Sequence, residues 1–412
     1  MTASSSTATR QGQADRPPRV FWVWLTGLTW TMLGAQVLSF GMVWAATAYS
    51  AALAGLVLAV VIVPRVVLSL LGGSVADRLG PARVMIISDA LMAIIMAVLA
   101  LILVGQDPGP VLLVIAAGAM GIADAFYLPS SAAIPKFLVP PGALPRAMAA
   151  RQLATNLTAF AGPVLGGLVI SRAGFSLSFA VGAAGFFGML GILLTMRRHL
   201  PTRSAQPSGS NLVEQAREGI RVVSTVPLLR TIVGLTGAFA AFIVPAAPLL
   251  IPLLARARGW DVAIAGTAAG TYAAGMATVA VAVMWRHGSQ RAGLAAAGGM
   301  TLAGAGVAAA ALAPSPTILL ALTFIAGLGT GLFATHVGPL FISAVPPEYM
   351  ARAQSVLILI QSLPLLLANP AIGLITEITT IHFVVTIWGA GAIGAGLTAL
   401  ASTALRGARR PT

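Results

Sequence analysis

"GGSVADRLGPARV", residues 72–84, places three glycines, one acid and two arginines between two long apolar runs. Elsewhere charge is scarce. Charged residues make up 8% of the 412-residue chain and hydrophobic ones 58%, and the mean hydropathy is +0.94. So few charges cannot cover a soluble protein of this size, so most of the surface must meet lipid. The stretch is then a loop joining two membrane helices. Gly72 and Gly73 remove side chains where a helix can pack closely. Gly80 permits a tight turn with positive φ. Pro81 suits the first turn of the next helix, where its missing N–H costs little. Asp77 can satisfy N–H groups at that helix start or pair with Arg83, and Arg78 and Arg83 anchor the loop on one side.

Outward from this loop, a membrane helix needs about 20 apolar residues. Twelve runs qualify: 20–45, 51–76, 84–104, 111–134, 152–171, 175–195, 229–254, 262–285, 292–312, 317–341, 354–376 and 381–405. The expected fold class is an all-α integral membrane protein with twelve transmembrane helices. Residues 1–19, rich in Ser, Thr, Gln and Pro, read as a disordered tail. Residues 20–195 form a first six-helix bundle, 196–228 a linker, 229–405 a second bundle and 406–412 a short tail. Within the linker, "RSAQPSGSN" (203–211) is flexible by composition. "LVEQAREGIRVVSTV" (212–226) reads as an amphipathic helix on the membrane surface, with Leu212, Ala216, Ile220 and Val223 on one face.

Basic residues set the orientation. With the N-terminus in the cytosol, every one of the 24 Lys and Arg residues is cytosolic except Arg172, Arg256, Arg258 and the intramembrane Arg65. Both termini are therefore placed in the cytosol. The net charge of +14 follows this loop distribution, so no nucleic-acid partner is expected. Cysteine is absent and only four histidines occur, widely scattered, which excludes a thiolate site and argues against a metal centre. The wealth of Ala, Gly and Arg beside a single lysine, Lys136, points to a high-GC bacterial source and hence the cytoplasmic membrane.

The halves resemble each other. Val139, Pro140, Pro141, Arg146 and Ala147 of "LVPPGALPRAMA" match Val345, Pro346, Pro347, Arg352 and Ala353 of "AVPPEYMARAQS" at an offset of 206 residues, half the 412-residue chain. Gly121, Gly167 and Leu168 match Gly327, Gly373 and Leu374 in the same register. Two parallel six-helix pseudo-repeats are an architecture of secondary transporters, with cargo held between the halves near the bilayer midplane.

Gly73-Ser-Val-Ala-Asp77-Arg78-Leu-Gly80 resembles the loop 2–3 signature of the major facilitator superfamily. The resemblance implies a conformational latch built from Gly73, Asp77, Arg78, Gly80 and Arg83, packing on the second half when the cavity faces outward. Where the family usually has two basic residues, this chain has Pro81 and Ala82. Either the latch is weaker or Arg83 serves instead. The second-half loop "WRHGSQRAG" (285–293) keeps bases without the acid. "AGPVLGG" (161–167) resembles the family's helix 5 antiporter motif, with Gly162, Pro163, Gly166 and Gly167 bending and thinning the helix; the motif implies export. "GIADAFYLPSSAAIPKFLVP" (121–140) resembles the branch of macrolide and enterobactin exporters.

An ionisable group inside a membrane helix costs about 2.5–3.5 kcal/mol on insertion scales, so each needs a reason. Arg65 and Asp124 each lie twelve residues before a cytosolic charge (Asp77 and Lys136) on parallel helices, so both sit roughly 18 Å deep. They are read as facing each other. A carboxyl's hold on its proton rises on desolvation and falls beside an arginine, so a change in this pairing would load and release a proton. The alternative is a fixed ion pair between helices 2 and 4. Asp89 is the third proton-coupling candidate, with a pair to Arg83 or another loop base preferred for it. Glu377 and His382, flanking the outer turn between helices 11 and 12, are read as solvated, with a gating role as the alternative. In a major facilitator fold helices 1, 4, 7 and 10 line the cavity, which makes Gln36 and His336 candidate cargo contacts, each with an interhelical hydrogen bond as alternative. Asn156 and Gln361 are read as packing contacts. Phe126, Tyr127, Phe239 and Phe242 offer an aromatic surface. Pro245, Pro248 and Pro252 must kink helix 7, as a gate or a static bend.

The expected function is secondary active export of lipophilic, drug- or macrolide-like small molecules by proton antiport. The alternatives are a dedicated exporter of a siderophore or natural product, or an importer. No catalytic set or phosphate loop appears, so an enzyme is not expected. A proton gradient rather than a cofactor supplies energy, and the expected partners are the lipid bilayer, protons and a small-molecule cargo, with the chain a monomer.

Overall fold

The structure, a computed structural model, describes residues 17–198, 220–286, 289–346 and 349–408, without the side chains of 69–74, 76–77, 286 and 351. The tail over 1–16 and the linker over 199–219 lie outside the described residues. So do the side chains of Gly73 and Asp77. Of the expected surface helix, residues 220–225 are described and helical, with Ile220 exposed and Val223 buried.

All regular elements among the described residues are helical. In lipid a backbone must satisfy its own hydrogen bonds, and a helix does so within one segment. The long helices are α1 (Arg19–Thr47), α2 (Ala51–Leu79), α3 (Pro81–Ile102) and α4 (Pro110–Ala133). The helical stretch Leu144–Met196 breaks at Gly174, whose φ of +74° only glycine adopts readily, giving α5 (144–173) and α6 (175–196). The second half holds α7 (Pro227–Phe242), α8 (Val262–Arg286), α9 (Ala292–Ala310), α10 (Pro316–Ala344), α11 (Met350–Ile378) and α12 (Ile381–Ala401).

Twelve crossings bring residues 19 and 408 out on one face, called terminal here; the other is distal. At the terminal face Phe21, Trp24 and Leu28 of α1 bury against Ala82, Met85, Ile134, Leu138 and Leu193. On the same face the Gly293 N–H donates to the Ala408 carbonyl at 3.4 Å.

Helix ends differ from the sequence expectation where proline and glycine set them. Gly80 has φ +88° and Pro81 opens α3 directly, three residues earlier than expected. Helix α5 starts at Leu144, well before the expected 152. The seventh run is not one helix. After Phe242 the chain turns, forms a π-helical turn over Ala246–Leu250 and resumes as Ile251–Ala257. Pro245 and Pro248 cannot donate the bonds that would continue α7.

Small residues set the packing. A methyl at Gly121 would strike the Val61 carbonyl of α2, and one at Gly327 the Tyr272 carbonyl of α8. At Gly167 it would meet the Val262 carbonyl of α8 at 2.7 Å, and at Gly373 the Ala51 carbonyl of α2. Positions matched by the internal repeat thus do matched work: α4 on α2 mirrors α10 on α8, and α5 on α8 mirrors α11 on α2. The last two contacts join the halves.

Candidate functional site

Two cavities meet on α2. One, of about 350 Å³, is lined by first-half residues, among them Gln36, Ser39, Arg65, Asp89, Asp124 and Tyr127. The other, of about 570 Å³, is lined chiefly by α7, α10 and α11, including Thr236, Phe239, Phe333, Gln354 and Gln361. Ile62 and Arg65 line both. The result is a two-lobed chamber at the seam between halves, with Arg65 at the junction.

Polarity is uneven. The first-half lobe holds two carboxyls. Among the described residues the second half contributes no charged side chain to the lining; its polar groups are the amides of Gln354 and Gln361 and the hydroxyls of Thr236 and Ser362, set among aliphatic side chains and the Phe239–Phe333 pair, stacked at 4.1 Å and 8°. Arg65 and Asp124 lie within electrostatic reach of each other. Among the described residues no ion pair or hydrogen bond joins them, so the fixed-ion-pair alternative does not describe this structure. Asp89 departs further from expectation. Its preferred partner, Arg83, is exposed. Asp89 itself is 0% exposed, and neither carboxyl oxygen has a hydrogen-bond partner. Tyr127, within electrostatic reach of Asp89, has an unpaired hydroxyl as well.

The other expected residues divide. Gln36 lines the chamber. His336 does not. It is buried on α10, where Nε2 accepts the Ser289 N–H at 3.0 Å and Nδ1 lies 2.9 Å from the Leu332 carbonyl. An accepting Nε2 puts the proton on Nδ1, which donates to Leu332. His336 therefore ties the α8–α9 loop to α10. Phe242 also stands outside the lining, edge-on to Trp388 at 6.4 Å and beneath Gly391. Conversely, Gln361, expected to pack, lines the chamber, as do Gln354, Ser362 and Phe333, which sequence reasoning passed over. Helices α2, α3, α6 and α11 join the four expected to form the wall. Asn156 accepts from Gln152 on an exposed surface.

Helix α5 presents its glycines to two neighbours. Gly162 and Gly166 lie against Gln36, Val37 and Phe40 of α1, and Gly167 against Val262, Ala263 and Gly266 at the start of α8. Of the loop 2–3 set, Arg78 and Arg83 are exposed and Gly80 is buried at the turn.

The distal side of the chamber is closed. Phe40, Trp44, Ile170, Ala255, Val262 and Ala265 form an apolar cluster across the seam. Arg256, beyond the π-turn, donates from Nε to Thr47 Oγ1 at 3.2 Å and from Nη2 to the Trp44 carbonyl at 3.1 Å, with its guanidinium 4.0 Å from the Trp44 ring centre. Glu377 is not merely solvated: Oε1 accepts the Ala52 N–H at 3.1 Å, at the start of α2 in the other half. His382 meets Arg258 at 3.3 Å.

The family model described as Major Facilitator Superfamily matches residues 20–369. No curated protein sequence matches. Among solved structures, a peptide transporter POT in complex with sulfate superposes with TM-score 0.72 at 16% identity, over 98% of this chain and 99% of that one. A bacterial homologue of the human lysosomal transporter Spinster, inward-facing and unoccupied, gives 0.66 at 16% over 94% and 95%. The nucleoside transporter NupG gives 0.71 at 15% over 92% and 98%.

Proposed function

The chain belongs to the major facilitator superfamily, and from that membership we propose that it is a secondary active transporter that exports weakly polar small molecules by alternating access, driven by proton antiport. The observation that carries this reading is the two-lobed chamber at the seam, closed on the distal side by contacts between halves. Such a chamber must be opened on that side to release what it holds. The wall suits weakly polar cargo: the second-half lobe is aromatic and amide-lined, and neither lobe has the several arginines a phosphate ester would need. Antiport is supported by carboxyls in the lining that can carry a proton, Asp124 and Asp89. Export is supported by the Gly162-Pro163-x-x-Gly166-Gly167 run, which resembles the family's antiporter motif. The basic loops support a cytosolic terminal face in a bacterium, and membership of the superfamily supports a transporter rather than an enzyme.

The test uses inside-out membrane vesicles with an acid lumen and a pH-sensitive dye. Macrolides, lipophilic cations and siderophores are added in turn. Proton efflux that depends on both the cargo and the protein is the expected result, and the responding compound separates a broad drug exporter from a dedicated one. Cargo leaving the lumen with protons would instead establish the importer reading. Absence of any flux in vesicles and in proteoliposomes would overturn transport.

A further inference from the structure

The helical segment Ile251–Ala257 ends in two arginines that reach in opposite directions. Arg256 crosses the seam to Thr47 and Trp44 of α1. Arg258 turns into its own half. Its Nη2 donates to the Ala311 carbonyl at 2.6 Å, at the end of α9, where helix carbonyls lack partners of their own. Its Nε donates to His382 Nε2 at 3.3 Å, in the first turn of α12. The guanidinium also lies 5.2 Å from the centre of the Trp260 ring. Trp260 in turn packs against the Phe40–Trp44–Ile170 cluster that seals the distal side. Arg258 thus connects His382 to the closure.

An arginine side chain only donates, so in this contact His382 Nε2 must offer a lone pair. Only the neutral imidazole can do so. A protonated ring donates from both nitrogens and stands as a second cation beside Arg258. His382 is partly exposed at the distal face, so water there can deliver the proton. Arg258 is the charged group within electrostatic reach of the ring. Helix α9 contains no ionisable residue and α12 no other. The neighbouring acids are engaged elsewhere: Asp261 accepts the Val262 N–H at 2.7 Å, Glu377 accepts the Ala52 N–H, and Asp107 lies within electrostatic reach of Arg256. Among the described residues no carboxylate joins the Arg258–His382 pair.

We propose that His382 is a proton-sensing residue of the distal closure. With a neutral ring it holds Arg258, and the seam stays closed. A proton from the distal side breaks that contact, sets two cations against each other and loosens the segment that presents Arg256 and Trp260 to the seam. The sign follows from the contact: the closed form needs the unprotonated ring. Acid therefore shifts the balance toward the distally open form and alkali toward the closed one, across the imidazole range of about pH 5–8. The claim concerns the conformational balance and goes beyond the transport reading. On that reading, acid outside the cell promotes distal opening.

The test is double electron–electron resonance on the full-length protein in nanodiscs. Spin labels sit at Gln106→Cys and Pro314→Cys, exposed distal positions in opposite halves and away from the pair. With His382 intact, lowering the pH from about 8 to about 5 should raise the ratio of a longer distance to the closed one by about tenfold. That is the scale of losing one hydrogen bond from a charged donor. His382→Gln keeps an acceptor for Arg258 that does not titrate, so the closed distance should dominate at both pH values. His382→Arg places a permanent cation there, so the longer distance should be enriched at both. The chamber carboxyls titrate in all three proteins and cannot produce this pattern. No response to pH with His382 intact, an undiminished response in His382→Gln, or a His382→Arg protein that stays closed would overturn the proposal. The expected pattern with no flux in proteoliposomes would keep the sensor and refute transport instead. Flux with a distance distribution indifferent to pH would keep transport and refute the sensor.

Discussion

Asp124 and His336 show how differently two rare polar residues serve one membrane protein. Asp124 lines the chamber near Arg65, with no ion pair joining them among the described residues, and the antiport proposed above requires a proton carrier of this kind. Asp124→Asn keeps the size and removes the titratable group. Coupled proton efflux in the vesicle assay should be lost while the protein remains folded and monodisperse by size-exclusion chromatography; unchanged efflux would send the proton to Asp89. His336 makes structural bonds away from the chamber. His336→Ala should lower stability by roughly 1–3 kcal/mol, read as a fall in melting temperature, with cargo-dependent proton efflux in the vesicle assay unchanged. The chemistry of these residues was legible in the sequence because charge is so rare there. Their surroundings were not. A helix apolar on every side, such as α10, carries no polar stripe to mark which face meets the chamber, so His336 and Phe242 were assigned to a wall that Gln361 and Phe333 occupy. Asp89 lost its expected partner for a related reason: Arg83 is only six residues away, but on a helix such residues need not share a face.

At the scale of elements, lipid makes helices easy to find and their contacts hard. Every apolar run but the seventh became a single helix, and proline or glycine at 80–81 and 174 set ends that hydropathy alone blurs. The three prolines foretold the break in α7, but not its π-turn, which depends on what the freed carbonyls find. The matched glycines were legible as a repeat, and their pairing on α8 and α2 emerged only in three dimensions. That pairing carries a prediction. Gly167→Val would push α5 from α8, and Gly373→Val would push α11 from α2, both at the distal side. Because the chain has no cysteine, Ser39→Cys in the chamber gives a probe without background. A membrane-impermeant maleimide added at the distal face should label Ser39→Cys faster in either glycine variant than in the parent. A shift of about 1.4 kcal/mol between closed and open forms changes their ratio tenfold, enough to read as a labelling rate. An unchanged rate would show that these helix contacts do not hold the closure.

For the whole molecule, the distal closure has two components of different kind. The apolar cluster around Trp44 and Ile170 and the close helix contacts are non-directional and survive small rotations. Arg256 on Trp44 and Thr47, and Glu377 on the start of α2, are directional and break early. A rocking of one half against the other must therefore lose the polar contacts first. Arg256 joins the halves from a segment that the π-turn separates from α7, so α7 can move in the chamber while Arg256 still holds α1. Each hydrogen bond is worth about 1 kcal/mol net, and a partly shielded cation–π contact adds about 0.5–2 kcal/mol. Arg256→Ala should then move the balance toward the distally open form by tenfold or more. Spin labels at Ser50→Cys and Thr380→Cys, on loops of opposite halves at the distal face, would read this as a second, longer distance in double electron–electron resonance. Arg256→Lys keeps the charge but not the paired donors, so it should fall between wild type and Arg256→Ala. A distance distribution identical in all three would place the closure entirely in the apolar cluster and the glycine contacts, and the polar contacts would then follow the motion without controlling it.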